Sequence, residues 1–210
     1  MKLIMENWKR FLTEIGGENI ATDPRIQKSI DKFFEIEGLG IHIEQSGKDV
    51  AIKYVHLKGD YMSPVDGYVN IEKRRYYAGP CLDGWTISRS ESDKGWGPLL
   101  YEIAMEWASR NGGGLTPDRQ VVSDLAKNVW YKYESRDDII KTQLDAHKGD
   151  ELKQLTPDDE SDDCIQWMAS KDASPNDWTT SPFSKMYSKN NLEVITHLLM
   201  FKKLLVNQGR

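Results

Sequence analysis

The sequence predicts an α/β (α+β) fold: a mixed, mostly antiparallel central sheet flanked by helices, with extra N- and C-terminal helices. Three observations predict it. Between Leu39 and Tyr77, three segments alternate apolar and polar residues with a period near two and are separated by turn residues. From Trp85 to Ala108 the apolar period changes from about two to about 3.6 across a Gly-Pro-containing turn, which reads as strand, tight loop, helix. Apolar residues at helical spacing recur at both ends, as Ile4, Trp8, Phe11, Leu12 and Ile15, and as Leu192, Ile195, Leu198, Leu199, Phe201 and Leu205.

A chain of 210 residues, 39% hydrophobic and with 7 Trp, can bury a substantial core. Its formal charge of -5 argues against a broad basic surface for nucleic acid, and no apolar run approaches a membrane span. Met1 to Asn7 meets charge too early for a secretion signal. Cys81 and Cys164 lie far apart without metal-type spacing, so reduced thiols in a cytoplasmic protein are expected.

In chain order, Gly16-Gly17 ends the first amphipathic helix. Asp23-Pro24 supplies an N-cap and first helical residue for a helix burying Ile26, Ile30, Phe33 and Phe34, and Gly38 ends it. Leu39 to Glu44 and Val50 to Leu57 form a hairpin about Ser46-Gly47-Lys48. The strand-like stretch from Tyr68 to Tyr77 carries Lys73, Arg74 and Arg75, a basic cluster read as a solvated strand end. Asn111-Gly112-Gly113-Gly114 terminates the central helix, and Leu115-Thr116-Pro117 is a short strand. Ala126, Val129, Trp130 and Tyr133 share one face of the next helix. Thr156 to Asp163 reads as a solvated acidic loop without a glycine-bearing calcium pattern, so no metal site is assigned.

The turn before the central helix carries the chemistry. Gly95 and Gly97 open a backbone path, and Pro98 suits a first helical turn. The unpaired N–H groups there, with the helix dipole behind them and Lys94 beside them, favour an anion such as phosphate. The nucleoside triphosphate loop is absent, and Leu100 takes the place of the third glycine of a dinucleotide fingerprint.

The run Ile87-x-Arg89-x-x-Ser92-x-Lys94-Gly95-Trp96-Gly97-x-x-Leu100, followed by Ala104 and Ala108, resembles the coenzyme A pyrophosphate loop of the GNAT superfamily of acyl-CoA-dependent N-acyltransferases. That family's signature is Arg/Gln-x-x-Gly-x-Gly/Ala after its fourth strand; here Ser92 replaces Arg or Gln, and Asp93 adds a negative charge. Ser123-Asp124-Leu125-Ala126-x-x-Val129-Trp130 resembles the family's Asn-x-x-Ala-x-x-Leu-Tyr helix, with Trp130 on the tyrosine position. The resemblance spans about Leu39 to Arg136. It implies an acyl-CoA-binding core over residues 21–142, preceded by the helix of 1–20 and followed by an acidic loop and C-terminal helical extension over 143–210. The family's two strong closing strands are missing from the pattern after Gln143, so the sheet is completed unusually or replaced there by helices.

What the resemblance implies for function is N-acyl transfer, with acetyl-CoA or another acyl-CoA as donor and an amine-bearing small molecule or protein as acceptor. It assigns the cofactor to the backbone of Ile87, Ser88 and Arg89, between splayed strands, and to Lys94, Gly95, Trp96 and Gly97. Tyr131 and Tyr133 become the candidate acids for the departing thiolate, since Trp130 has no hydroxyl. The base stays open among His42, Glu44, Glu72 and water. Two other readings stay open as well: an acyl-CoA-sensing module, and a non-enzymatic interaction or structural protein on the same fold. The opening residues resemble those of phage-encoded proteins, which implies host cytoplasm and a phage or host protein partner; an exposed terminal helix would make a homodimer surface.

Overall fold

The computed structural model of the chain describes residues 21, 23–57, 63, 65–73, 79–145, 154–167 and 178–208. The amphipathic helix expected over residues 1–20, and Arg74 and Arg75, lie outside them. Helix α1 (Pro24–Glu35) precedes β1 (Leu39–Ser46), β2 (Asp49–His56), β3 (Gly67–Glu72) and β4 (Trp85–Ser92). After these come α2 (Gly97–Asn111), β5 (Leu115–Thr116), α3 (Asp124–Glu134), β6 (Ile140–Gln143), β7 (Lys185–Ser188), α4 (Glu193–Met200) and β8 (Leu204–Gln208). Among the described residues the strands form one 8-stranded sheet in the order β6-β7-β5-β4-β3-β2-β1-β8. All its pairings are antiparallel except β4 with β5 and β1 with β8. The mixed α/β fold read from the sequence is the fold observed.

Local signals set most boundaries. Asp23 caps α1 by accepting from the Arg25 N–H at 2.8 Å, with Pro24 at the first helical position. The β1–β2 hairpin turns at Gly47, whose φ of 60° suits glycine. Ile41, Ile43, Ile52, Tyr54, Val69 and Ile71 alternate along their strands into the core, where the rings of Phe33 and Tyr54 lie 6.1 Å apart.

Every residue of α2 from Leu99 to Ala108 is buried, including Glu102 and Glu106. A carboxylate in such a place needs partners. The Arg136 guanidinium grips both oxygens of Glu102 at 2.7 and 2.9 Å, and Lys189 Nζ reaches the same carboxylate at 2.8 Å. Asp138 holds the far side of Arg136. Glu106 accepts from the N–H groups of Val194 and Ile195, at 3.1 and 2.8 Å, so one helix's side chain caps the N-terminus of α4.

Four expectations are corrected. Cys81 and Cys164 form a disulfide, with Cα atoms 4.6 Å apart, instead of two reduced thiols. Backbone bonds bring the two segments together: Cys81 N–H donates to Asp163 O and Leu82 N–H to Ser161 O. The terminal helix stops at Met200, and Leu205 lies in β8, because Lys202 adopts a φ of 54° and turns the chain alongside β1. The closing strands exist as short β6 and β7, widely separated in sequence, so part of the expected helical extension joins the sheet. Lys73, expected in solvent, pairs with Asp83 at 2.7 Å over the ring of Trp85.

Two outcomes follow. Thiol titration of the denatured, unreduced protein finds no free thiol, and finds both cysteines after reduction. Burial raises the Glu106 carboxyl from its ordinary 4.5 to about 7. The folded protein therefore holds a proton there that the unfolded chain has released, and the associated stability, complete below about pH 4.5, is lost as pH rises through 7, on the order of 3 kcal/mol. In urea denaturation across this range, Glu106→Gln removes that part of the pH slope; an unchanged slope assigns the titration elsewhere.

Candidate active site

β5 leaves β4 almost at once. Trp85 pairs with Leu115 and Thr86 with Thr116, and their Thr hydroxyls meet at 2.9 Å. Pro117 follows without an N–H to continue the ladder. β4 runs on from Ile87 to Ser92 with no β5 beside it. The register against β3 also shifts there: Asn70 faces Arg89 and Ile71 faces Ile87, leaving Ser88 as the extra residue of a bulge.

A cavity of about 370 Å³ lies beside the far end of β4, beyond the stretch that β5 accompanies. Its walls are the ends of β3 and β4 (Tyr68, Val69, Ser90, Glu91, Ser92), the start of α2 (Gly97, Pro98, Leu100, Tyr101), one face of α3, and Asp23, Arg25 and Ile26 at the start of α1. From α3 come Ser123, Leu125, Ala126, Val129, Lys132 and Tyr133, with Arg136 just beyond. The apolar face of α3 is thus divided: Ala126, Val129 and Tyr133 line the cavity, while Trp130 is 1% exposed and packs 5.5 Å from the ring of Tyr187.

Helix α2 starts at the cavity without a side-chain cap. The Trp96 N–H is taken by Asp93 O, and Pro98 has none, which leaves the N–H groups of Gly97 and Leu99 with no acceptor inside the helix. On the opposite wall, Tyr133 is 4% exposed and its hydroxyl has no hydrogen-bond partner among the described residues. Burial, and then the nearby Glu102 carboxylate, hold its pKa well above the usual phenol value, so it stays protonated. Ser90 and Tyr101 join hydroxyls at 2.8 Å, and burial raises the Tyr101 pKa too. Of the three cations on the walls, Arg25 is held by Asp23 and Arg136 by Glu102 and Asp138, whereas Lys132 has no ion-pair partner among the described residues. Asp23 in turn is kept below the ordinary carboxyl value by its hydrogen bond from Arg25.

The residues singled out from sequence are only partly brought together. Gly97 and Tyr133 line the cavity. Tyr131 does not: it is 56% exposed and lies edge-on to Phe183. Ile87 is core, Ser88 donates to Asn70 O at 3.4 Å, and the Arg89 guanidinium lies 5.8 Å from the Tyr68 ring. Lys94 is exposed and off the wall; Gly95 has a φ of 87° and its carbonyl accepts from Ser29. Trp96 is buried, with Lys32 Nζ 4.1 Å from its ring and its carbonyl accepting from Tyr54. His42, Glu44 and Glu72 are not on the walls. Sequence reasoning missed Ser90, Tyr101, Arg25, Arg136 and Lys132. Lys132 had a signal, one residue from Tyr133 on a helix whose apolar face was already marked.

Tyr133→Phe removes a buried hydroxyl that nothing bonds. In urea denaturation the variant is as stable as the parent, or more stable by about 1 kcal/mol; a clear loss of stability shows that the hydroxyl has an internal partner. No family model, no curated protein and no solved structure matches the chain, so its function is argued from this geometry.

Proposed function

We propose that the chain is an acyl-CoA-dependent N-acyltransferase of GNAT type that moves an acyl group, acetyl in the simplest case, from coenzyme A to an amine. One observation carries the reading: the cavity lies beside the end of β4 that has no β5 alongside it, between the uncapped start of α2 and the Tyr133 hydroxyl, which has no partner among the described residues. The strand order supports it, since three antiparallel strands feeding a fourth, and then a helix, are what the resemblance implies.

In this reading the pyrophosphate accepts from the N–H group of Gly97 at the positive end of α2, with Lys132 as the cation. The pantetheine arm follows the free edge of β4 past the bulge at Ser88, where backbone groups are no longer used by a neighbouring strand. A β4 N–H there stabilises the oxygen of the thioester as negative charge builds on it. The neutral amine forms the C–N bond, the C–S bond breaks, and Tyr133 donates its proton to the departing sulfur. The proton lost from nitrogen passes through water and restores the Tyr133 hydroxyl. Burial that keeps the phenol protonated makes Tyr133 a donor and not a base.

The acceptor is an amine-bearing small molecule or protein, and the setting is the cytoplasm, where acyl-CoA is supplied. The disulfide is compatible with that setting because Cys81 and Cys164 are 4% and 0% exposed, out of reach of attacking thiols. No described helix is long and apolar enough to cross a membrane.

Isothermal titration with acetyl-CoA tests the cofactor. Gly97→Glu abolishes binding, since its Cβ meets only Ser92 Oγ, at 3.0 Å, and the carboxylate repels the pyrophosphate. Gly95 is a poorer probe because its positive φ strains any side chain. With pooled amines and detection of released thiol, Tyr133→Phe keeps binding and loses about 100-fold or more in turnover. Binding without turnover identifies a sensor, and absence of binding at millimolar acetyl-CoA removes the reading.

A further inference from the structure

We propose that Asp145, Asp162 and Asp163 bind one hard divalent cation, calcium by the chemistry of the donors, where the acidic loop meets the end of β6. The site is separate from the cavity and independent of the acyltransferase reading. Backbone bonds force the three carboxylates together: the Asp145 N–H donates to Asp162 O at 3.0 Å, Cys164 N–H to Asp145 O at 2.7 Å, and Cys81 N–H to Asp163 O at 3.0 Å. One ligand oxygen from each lies within 4.8 Å of the others. The residues are 1%, 9% and 4% exposed, in contrast to the solvated loop expected from sequence.

Their compensation is incomplete. Asp145 Oδ2 accepts from Thr156 N–H at 2.7 Å and lies 2.9 Å from Thr156 Oγ1, while Asp162 Oδ2 lies 2.5 Å from the same hydroxyl. One hydroxyl proton serves only one of them. Asp162 Oδ1 is buried with no donor among the described residues. Neither Asp145 nor Asp162 has an ion pair among the described residues, whereas the equally buried Glu102 has both Arg136 and Lys189. Asp145 and Asp162 are buried carboxylates with no cation beside them among the described residues, which is costly, and a metal ion would supply that positive charge.

The donor set selects the class. It is all oxygen, and both thiols that could serve a softer metal are consumed in the disulfide beside it. Calcium–oxygen distances of about 2.3–2.6 Å place opposing ligands about 4.6–5.2 Å apart, which the trio satisfies without rearrangement. The exposed Asp158, Asp159 and Glu160 raise the local cation concentration.

The full chain, first stripped with a chelator, is titrated with calcium chloride by calorimetry and with terbium by luminescence excited through tryptophan. Trp178 is the antenna, since its indole N–H donates to the carbonyl of Leu144, next to Asp145. The expected result is one ion per chain, a rise in Tm with calcium, and a loss of at least tenfold in affinity for Asp162→Asn and for Asp145→Asn. Asp158→Asn, on the exposed loop, binds as the parent does. The parent's own titration makes the test independent of whether a variant folds: no heat and no terbium emission up to millimolar ion overturns the site, as does affinity unchanged in both folded variants. A parent that binds no ion and shows a protonated carboxyl in its infrared spectrum overturns it in favour of a shared proton.

Discussion

Two glutamates one turn apart on a helix with no exposed face constrain everything around them. Glu102 and Glu106 sit within the run Leu99–Ala108, entirely inside the protein, and neither can reach water. The chain meets this by drawing in charges and N–H groups from sequence-distant segments: Arg136 just after α3, Lys189 just after β7, and the first amides of α4. Replacing the pair by apolar residues could stabilise the fold equally well. What ionic partners add is direction, since a bidentate Arg–carboxylate contact fixes where residue 136, and with it the end of α3, must lie.

That fixed end is also a wall of the cavity. Arg136 and Tyr133 are one turn apart, so the clamp on Glu102 sets the position of the unpartnered hydroxyl relative to the start of α2. The other wall comes from a backbone decision. Pro117 ends β5 after two pairs and the bulge at Ser88 redirects β4, so polar backbone that a longer ladder would consume stays available. An anion-favouring helix end, a free strand edge and a desolvated donor arise from three different local causes and meet in one place.

What could be read from sequence was what local chemistry decides. The Asp23-Pro24 cap, the hairpin about Gly47, the start of α2 within a residue of Pro98 and the brevity of β5 all follow from residues within a few positions. What could not be read depends on which distant segments meet. β6 and β7 are too short to show a period and lie far apart in sequence. The Cys81–Cys164 bond and the burial of Asp162 depend on the same remote pairing. For the site, periodicity marked the right face of α3 but not that Tyr133 faces the cavity while Tyr131 faces out. A pattern was there to be used at Glu102 and Glu106, since two acids at i and i+4 in an otherwise apolar helix announce buried partners.

The pairing of β1 with β8 has a bearing on how the protein is made. Strand β1 is made well before one of its two neighbours, β8, and before the helix that Glu106 caps, both of which belong to the segment beyond β7. Until the segment beyond β7 has been made, β1 keeps an open edge and Glu106 lacks the amides it caps, so the sheet closes only once that segment is available. Such a high-separation contact makes folding slow relative to hairpin formation and leaves the growing polypeptide dependent on its own early hairpin, or on a chaperone, for protection.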